Sequence, residues 1–350
     1  MTRNRGNVVI DVESSALNRW VVTLIVMVVI TRLSHAQSAV YVTMVSHFDR
    51  PWTMTSEDLK AFEELTTRHP EMRWTHLYNP VAYTQPTPLL DEMERFVKRT
   101  QAEQGAEIGT HLHMYQSLLG AAEVKFEVHP SMNAAEVRQS RDASGYAVPI
   151  TRYSREEIGR LLALTARVFD EHGLGQPRTF CAGFYATSID LQREIVAHGY
   201  TVSAAAFPPG TQLGAKYAPS WNRLAGWDAS ITHRLRPYFV SGETILPNGL
   251  KPYLLAHDGM PLVEIPQTCK IDWMMTAEEM KVVIKQHLAI AQAVEKSAVC
   301  LAIHETGGAA HYAKFDEVLR YIDDYRTSKR EPIVKYVTAS QLREAFVTAE

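Results

Sequence analysis

The sequence has little of what would assign it to several common classes. Its 350 residues include three cysteines, Cys181, Cys269 and Cys300, odd in number and far apart. That excludes a disulfide framework and a Cys-x-x-Cys zinc site, and leaves any metal to histidine and carboxylate. Lysine and arginine form no block and the formal net charge is −3, so the electrostatic footprint of a nucleic-acid-binding protein is missing. There is no internal repeat, low-complexity tract or clear linker. Long apolar runs are scarce too. "WVVTLIVMVVI", residues 20–30, is uncharged but shorter than the roughly 20 residues a membrane span needs.

That run is of the length of a signal-peptide apolar region. Arg19 precedes it, and Ser34 and Ala36 give a small-x-small cleavage pattern. The segment ahead of it is long and carries Asp11 and Glu13, which suits an early start codon or an uncleaved anchor. Residues 1–36 are therefore expected to be a signal peptide or membrane anchor, tethered through residues 20–30. Residues 37–350 then form the working domain, exported to the periplasm, the medium or the outer side of the membrane.

The remainder is 46% hydrophobic and 21% charged across the chain, enough for one large core. "AVYVTMVSHFD" reads as a strand, followed by a helix over 56–68, a strand at "RWTHLY" and a helix over 88–101. The strand "EIGTHLHMY" comes next, and residues 120–153, polar and rich in Gly, Ser and Asn, read as a surface loop. "SREEIGRLLALTARVFDEHGLG" opens on a capping box, Ser154 to Glu157, and ends on glycines. "RTFCAG" is a strand, "TSIDLQREIVAHGY" a helix begun by Thr187 and Asp190, and "TVSAAAF" a strand. Residues 208–261 loosen into loops with short strands. "PLVEIP" is a strand, and a second capping box, Thr276 to Glu279, opens a helix. The strand "AVCLAIHE", the helix "KFDEVLRYIDDYRTSK" and a last strand and helix follow. Such alternation predicts a parallel sheet, open or closed into a barrel.

Several strands end in chemistry-bearing groups: His47 and Asp49, His111 and His113, the Cys181–Tyr185 turn, and His304. In parallel α/β folds, ligands bind at the carboxyl ends of strands, so residues scattered in sequence can meet there. In a strand, residues i and i+2 share a face, which makes His111 and His113 neighbours. Two histidines and a carboxylate with open positions are a common catalytic metal set.

In this arrangement the sequence resembles the polysaccharide deacetylase family, metal-dependent carbohydrate esterases, over about residues 39–345. "VYVTMVSHFD" stands where that family has its first, Asp-bearing motif, and "EIGTHLH" is similar to the second in an HxH form. "FCAGFYATSIDLQREIVAHGY" resembles the third, "PLVEIPQT" a strand before the fourth, and "LAIH" the fifth; "VKYVTASQL" is similar to the closing strand. The resemblance implies a distorted (β/α) barrel of the polysaccharide deacetylase / glycoside hydrolase type with a divalent metal, most often zinc, in its mouth. It makes Asp49, His111 and His113 metal ligands and His304 the general acid. The implied activity is removal of acetyl groups from an N-acetylated polysaccharide or cell-envelope glycan.

Two positions depart from the pattern. The first motif normally carries two acidic residues, but here His47 precedes Asp49 and Arg50 follows it; the base is then His47 or is missing. "SHFDRPW" is also similar to the His-x-Asp zinc pair of alpha-mannosidases, which would make His47 a fourth ligand. Cys181 stands where the family has an arginine that orients the base. Asp272 is either a partner of His304 or a helix-start residue beside a core tryptophan. Glu264 is a partner of a ligand histidine or only a strand-end residue. Tyr185 is a substrate-binding candidate, and with Trp221, Trp227 and Tyr238 it is a candidate for stacking on sugar rings; His233, His257 and His311 read as surface histidines. The competing expectations are a non-catalytic glycan- and metal-binding relative and a mannosidase-like glycosidase.

Overall fold

The computed structural model describes residues 37–132, 143–208, 225–247, 254–328 and 330–347. The expected leader, residues 1–36, and Trp221 lie outside the described residues. The order of elements is β1 (Ala39–His47), α1 (Ser56–Arg68), β2 (Trp74–Tyr78), α2 (Leu90–Gln104), β3 (Glu107–Leu112), α3 (Gln116–Ala121), α4 (Arg155–Glu171), β4 (Thr179–Ala182), α5 (Ile189–Ala197), β5 (Val202–Ser203), β6 (Tyr238–Phe239), β7 (Ala256–His257), β8 (Met260–Pro261), β9 (Val263–Glu264), α6 (Ala277–Val294), β10 (Lys296–His304), α7 (Gly308–Thr327), β11 (Ile333–Tyr336) and α8 (Ala339–Val347). Among the described residues no helix is long and apolar enough to cross a membrane.

The sheet follows from its two longest strands. β1 and β10 are buried on both faces along nearly their whole length, which requires parallel partners with helices packed outside. They pair with each other in parallel over nine residues, from Ala39 opposite Lys296 to His47 opposite His304. From there the sheet runs β10-β1-β2-β3-β4-β5-β9, all parallel, with β6 antiparallel on β9 and β11 beside the start of β1. After β9 the chain returns to β10, where the Cys269 amide donates to Cys300 O at 3.1 Å and the Cys300 amide donates to Thr268 Oγ1 at 3.0 Å. The mostly parallel sheet therefore curls into the expected distorted (β/α) barrel.

The helices start where their caps dictate. In α4, Ser154 Oγ accepts from the Glu157 amide and Glu157 Oε2 accepts from the Ser154 amide at 2.8 Å. The same reciprocal box, Thr276 with Glu279, opens α6. Along α4, Ile158, Leu161, Leu162, Thr165, Val168 and Phe169 fall on one buried stripe; each large apolar side chain there contributes about 1.5–3 kcal/mol of transfer free energy.

Three expectations change. The cap of α5 is Ser188, which accepts from the Leu191 amide at 3.1 Å, rather than Thr187. α7 begins at Gly308, so His311 lies in its first turn and not in a loop. In the described parts of 120–153, Met132, Ala147, Val148, Ile150 and Tyr153 are buried and Tyr146 lines the pocket at the barrel mouth, so these parts are not a simple surface loop.

Candidate metal centre and active site

The carboxyl ends of β1, β3, β4 and β10 meet in one pocket, lined by His47, Asp49, His111, His113, Tyr146, Phe184, Tyr185, Phe207, Ile271, Trp273, Met274 and His304. Strand register sets this convergence. His47 lies opposite His304, and His111 lies opposite Cys181.

Asp49, His111 and His113 form a buried group whose ligand atoms lie within 4.8 Å of one another. His111 Nε2 is 2.7 Å from Asp49 Oδ1, and His113 Nε2 is 3.3 Å from Asp49 Oδ2. The other nitrogens are spoken for. His111 Nδ1 is 2.9 Å from Cys181 O and His113 Nδ1 is 2.7 Å from Tyr146 O. A carbonyl oxygen only accepts, so both Nδ1 atoms carry hydrogen, and in a neutral ring the Nε2 atom is a bare lone pair. Burial pushes His111 down from its ordinary pKa, favouring that neutral ring. Burial alone would raise Asp49, but His113, His111 and His304 hold it well below the usual carboxylate range. Two imidazole Nε2 atoms and an ionised carboxylate thus face one another at contact distance. His113 Nε2 and Asp49 Oδ1 are buried without a hydrogen-bond partner. A cation between them resolves both facts, and the anchoring of each Nδ1–H on a carbonyl is the arrangement that orients metal-binding histidines. These residues fit a divalent metal.

His304 stands on the other wall. Its Nδ1 is 2.9 Å from Asp272 Oδ1 and its amide donates to Asp272 Oδ2 at 2.9 Å, so the structure pairs Asp272 with His304. His304 Nε2 turns toward the pocket, 3.6 Å from Asp49 Oδ2. Burial works against its charge, but Asp49 and Asp272 outweigh it and His304 is pushed up to about 10. Trp273, beside Asp272, is 53% exposed and forms part of the pocket rim rather than the core.

His47 is buried, edge-on to His111 with ring centroids 4.9 Å apart. It groups with His111 and Cys181 rather than with Asp49, which disfavours the His-x-Asp pairing. Glu264 is buried but touches no ligand histidine. Its carboxylate accepts from the amides of Ala205 and Ala206 at 2.8 and 2.6 Å, fixing the turn after β5. Tyr185 lines the pocket. Of the other aromatics, Trp227 is buried with Nε1 donating to Tyr185 O at 2.8 Å, and the Tyr238 hydroxyl donates to Ile245 O at 2.8 Å. Neither faces the pocket. His233 is half-buried, its Nδ1 2.6 Å from Thr268 O, and is not a free surface group.

Two site residues were not expected. Tyr146, from the 120–153 stretch, stacks on His113 with centroids 4.2 Å apart and planes 16° off parallel. Its hydroxyl donates to Asp49 Oδ2 at 3.0 Å. Glu305, next to His304, is buried and accepts from the amides of Asp49 and Arg50 at 2.9 and 2.6 Å. One residue thus ties two of the candidate ligands together, and the other pins the end of β1 to the end of β10. Glu305 had a faint signal in its adjacency to His304; Tyr146 had none beyond being an aromatic in polar text.

No protein-family profile and no curated protein matches the chain. Solved structures do. A protein classed as a polysaccharide deacetylase from Mycobacterium smegmatis is 12% identical, with 89% of this chain and 91% of that chain aligned at a TM-score of 0.51. One classed as a glycoside hydrolase/deacetylase from Parabacteroides distasonis is 13% identical, over 90% of this chain and 72% of that chain, at a TM-score of 0.57. At such identities the likeness is one of architecture: the chain has the barrel fold of these deacetylase structures.

Proposed function

We propose that the protein is a metal-dependent hydrolase that removes acetyl groups from an N-acetylated polysaccharide or cell-envelope glycan, with zinc held by Asp49, His111 and His113. One observation carries the reading: two imidazoles anchored through Nδ1 and one carboxylate converge through their remaining ligand atoms, on the pocket into which a His–Asp pair opens. The substrate class rests on the names of the two structures that share the fold.

A bound divalent cation supplies Lewis acidity toward an acyl oxygen and toward water. The chain does the rest. Asp272 holds His304 Nδ1–H and leaves Nε2–H directed into the pocket, where it can be given to the departing nitrogen or oxygen. His47 is kept neutral chiefly by burial, with the charge of His304 acting in the same direction, which leaves a lone pair to take a proton from the attacking water. Tyr146 and Glu305 keep Asp49 in place. Residues 1–36 are proposed to export the protein, which N-terminal sequencing of envelope-fraction material would test.

The deciding experiment is elemental analysis of the full chain, purified without a histidine tag, beside the His111→Ala/His113→Ala double variant, followed by acetate assays on N-acetylated glycans. About one zinc per chain, lost in the variant, together with acetate release supports the proposal. Release of free sugar without acetate would favour a glycosidase, and metal with neither product a binding protein. No metal after reconstitution sinks the proposal.

A further inference from the structure

A second group of ligand atoms, those of His47, His111 and Cys181, again lies within 4.8 Å of one another, all three residues being buried and the two histidines lining the pocket. Cys181 lies beside His111 in strand register, and His47 meets His111 edge-on at 4.9 Å. His47 Nδ1 is buried with no hydrogen-bond partner, while its Nε2 lies 3.5 Å from Gln267 Nε2. The Cys181 thiol makes a contact of 3.6 Å to the neighbouring Ala182 O. These are also the two positions at which the sequence departs from the pattern it resembles, and the fold makes them neighbours.

We infer that His47, His111 and Cys181 form a soft metal-binding set that competes with the Asp49 set for the same cation. The inference rests on the metal-centre reading above, because His111 belongs to both sets. A neutral imidazole has a single lone pair to give, so His111 serves one set or the other and only one can be complete at a time. The chemistry of the two differs. Carboxylate and imidazole serve harder and borderline divalent ions, whereas a thiolate with two imidazoles selects zinc, cobalt(II) and cadmium over manganese or magnesium. Ligation breaks the S–H bond and forms a metal–sulfur bond, and the proton leaves to solvent. An ion held there also occupies His47, removing it as a base.

Cobalt(II) titration of the full-length protein tests this, since thiolate ligation gives an intense near-ultraviolet charge-transfer band that nitrogen and oxygen ligands do not. The expected result is a band saturating at one cobalt per chain. Cys181→Ser should lose the band yet still take up cobalt with visible ligand-field absorption, and His113→Ala should keep the band. Cadmium-113 NMR of the unaltered protein, which needs no variant to fold, should show a shift in the thiolate range. Cobalt uptake without the band, or a band that survives Cys181→Ser, overturns the soft set and leaves the Asp49 centre standing. No cobalt uptake at all overturns both.

Discussion

Replacing Gly183 with alanine tests the candidate centre without touching a ligand. Gly183 follows β4, and its backbone is not left-handed, so alanine meets no backbone penalty. Space is what is missing. A Cβ there would sit 2.5 Å from His113 Nδ1, 2.6 Å from Cε1 and 2.7 Å from Cγ, about 0.9 Å inside the 3.4 Å at which ordinary contact begins. The imidazole has little room to yield. It is tied to Tyr146 O at 2.7 Å and stacked on the Tyr146 ring. A shift near 1 Å breaks that hydrogen bond and carries Nε2 off its position beside Asp49. Overpacking of this kind costs about 1–3 kcal/mol, below the roughly 5–15 kcal/mol that holds a typical domain together, so the variant should fold. Losing the anchor of a ligand histidine typically weakens metal binding about 10–100-fold, and misplacement by about 1 Å costs about 100-fold in rate. Competition against a chelating dye measures the first, acetate release the second. Gly120→Ala is the control: it lies in α3 with nothing within 4 Å of the added methyl, and should gain about 0.5–1 kcal/mol with metal binding unchanged. If Gly183→Ala binds metal and turns over like the unaltered protein, His113 is not held where the structure puts it, or is not a ligand.

His111→Ala, which takes a ligand from both sets, should lose bound metal and activity together; His113→Ala should lose activity while the soft set still takes up metal, and His304→Ala should keep a full complement of metal and lose turnover; elemental analysis beside the acetate assay separates these outcomes. Asp272→Asn leaves the shape of the His304 pair but removes its charge, so kcat should fall about 10²-fold or more with metal content constant, in the range of general acid–base effects. Tyr146→Phe should weaken metal binding about tenfold through Asp49, with far-UV circular dichroism unchanged. A pH effect away from the site comes from His76, fully buried between Ser46 Oγ at 2.8 Å and Thr100 Oγ1 at 2.9 Å, whose pKa burial lowers to about 3. The folded state then binds fewer protons than the unfolded one below pH 6.5. His76 therefore contributes stability above that pH that is lost as pH falls toward 3, at about 1.4 kcal/mol per unit. Urea unfolding at several pH values should show His76→Gln with a shallower acid slope than the unaltered protein, and equal slopes would refute the assignment.

What could be read in the sequence was whatever local chemistry decides. Both expected capping boxes form because a hydroxyl and a carboxylate three residues apart satisfy each other's amides wherever the helix packs. The HxH spacing and the polar strand ends were legible for the same reason, since alternation in a strand is a local rule. Tyr146 was not, because its place depends on a polar, aperiodic stretch returning to a site built by β1 and β3. Glu305 binds the Asp49 amide 256 residues away, and no spacing encodes such a pair. The start of α7 was hidden by Gly307 and Gly308, which read as loop. There the backbone packs against α1: a Cβ on Gly308 would lie 2.5 Å from Asp58 O. Glu264 is the opposite case: a carboxylate at a strand end looked like chemistry, and its partners are the Gln192 side chain and two amides of the next turn.

The dependence of the site on strand register goes further than the position of any one ligand. Because side chains alternate across a strand, a slip of one residue in β1 would carry its whole inward-facing set to the other face. That slip is opposed along the whole strand, since β1 is matched with β10 over nine residues and both are buried on both faces. Two further clamps act at the site itself. Glu305 binds the amides of Asp49 and Arg50, just past β1, and Asn79, just past β2, donates from Nδ2 to Asp49 O at 3.3 Å. Asp49 is thus held through its amide, its carbonyl and its carboxylate by three different segments of the chain. Glu305→Gln would replace one acceptor with an NH₂ group facing an amide that can only donate, which leaves a buried donor unsatisfied at about 1–3 kcal/mol. The loss should appear as weaker metal binding before it appears as unfolding, because the register of β1 persists without that clamp and the position of Asp49 does not.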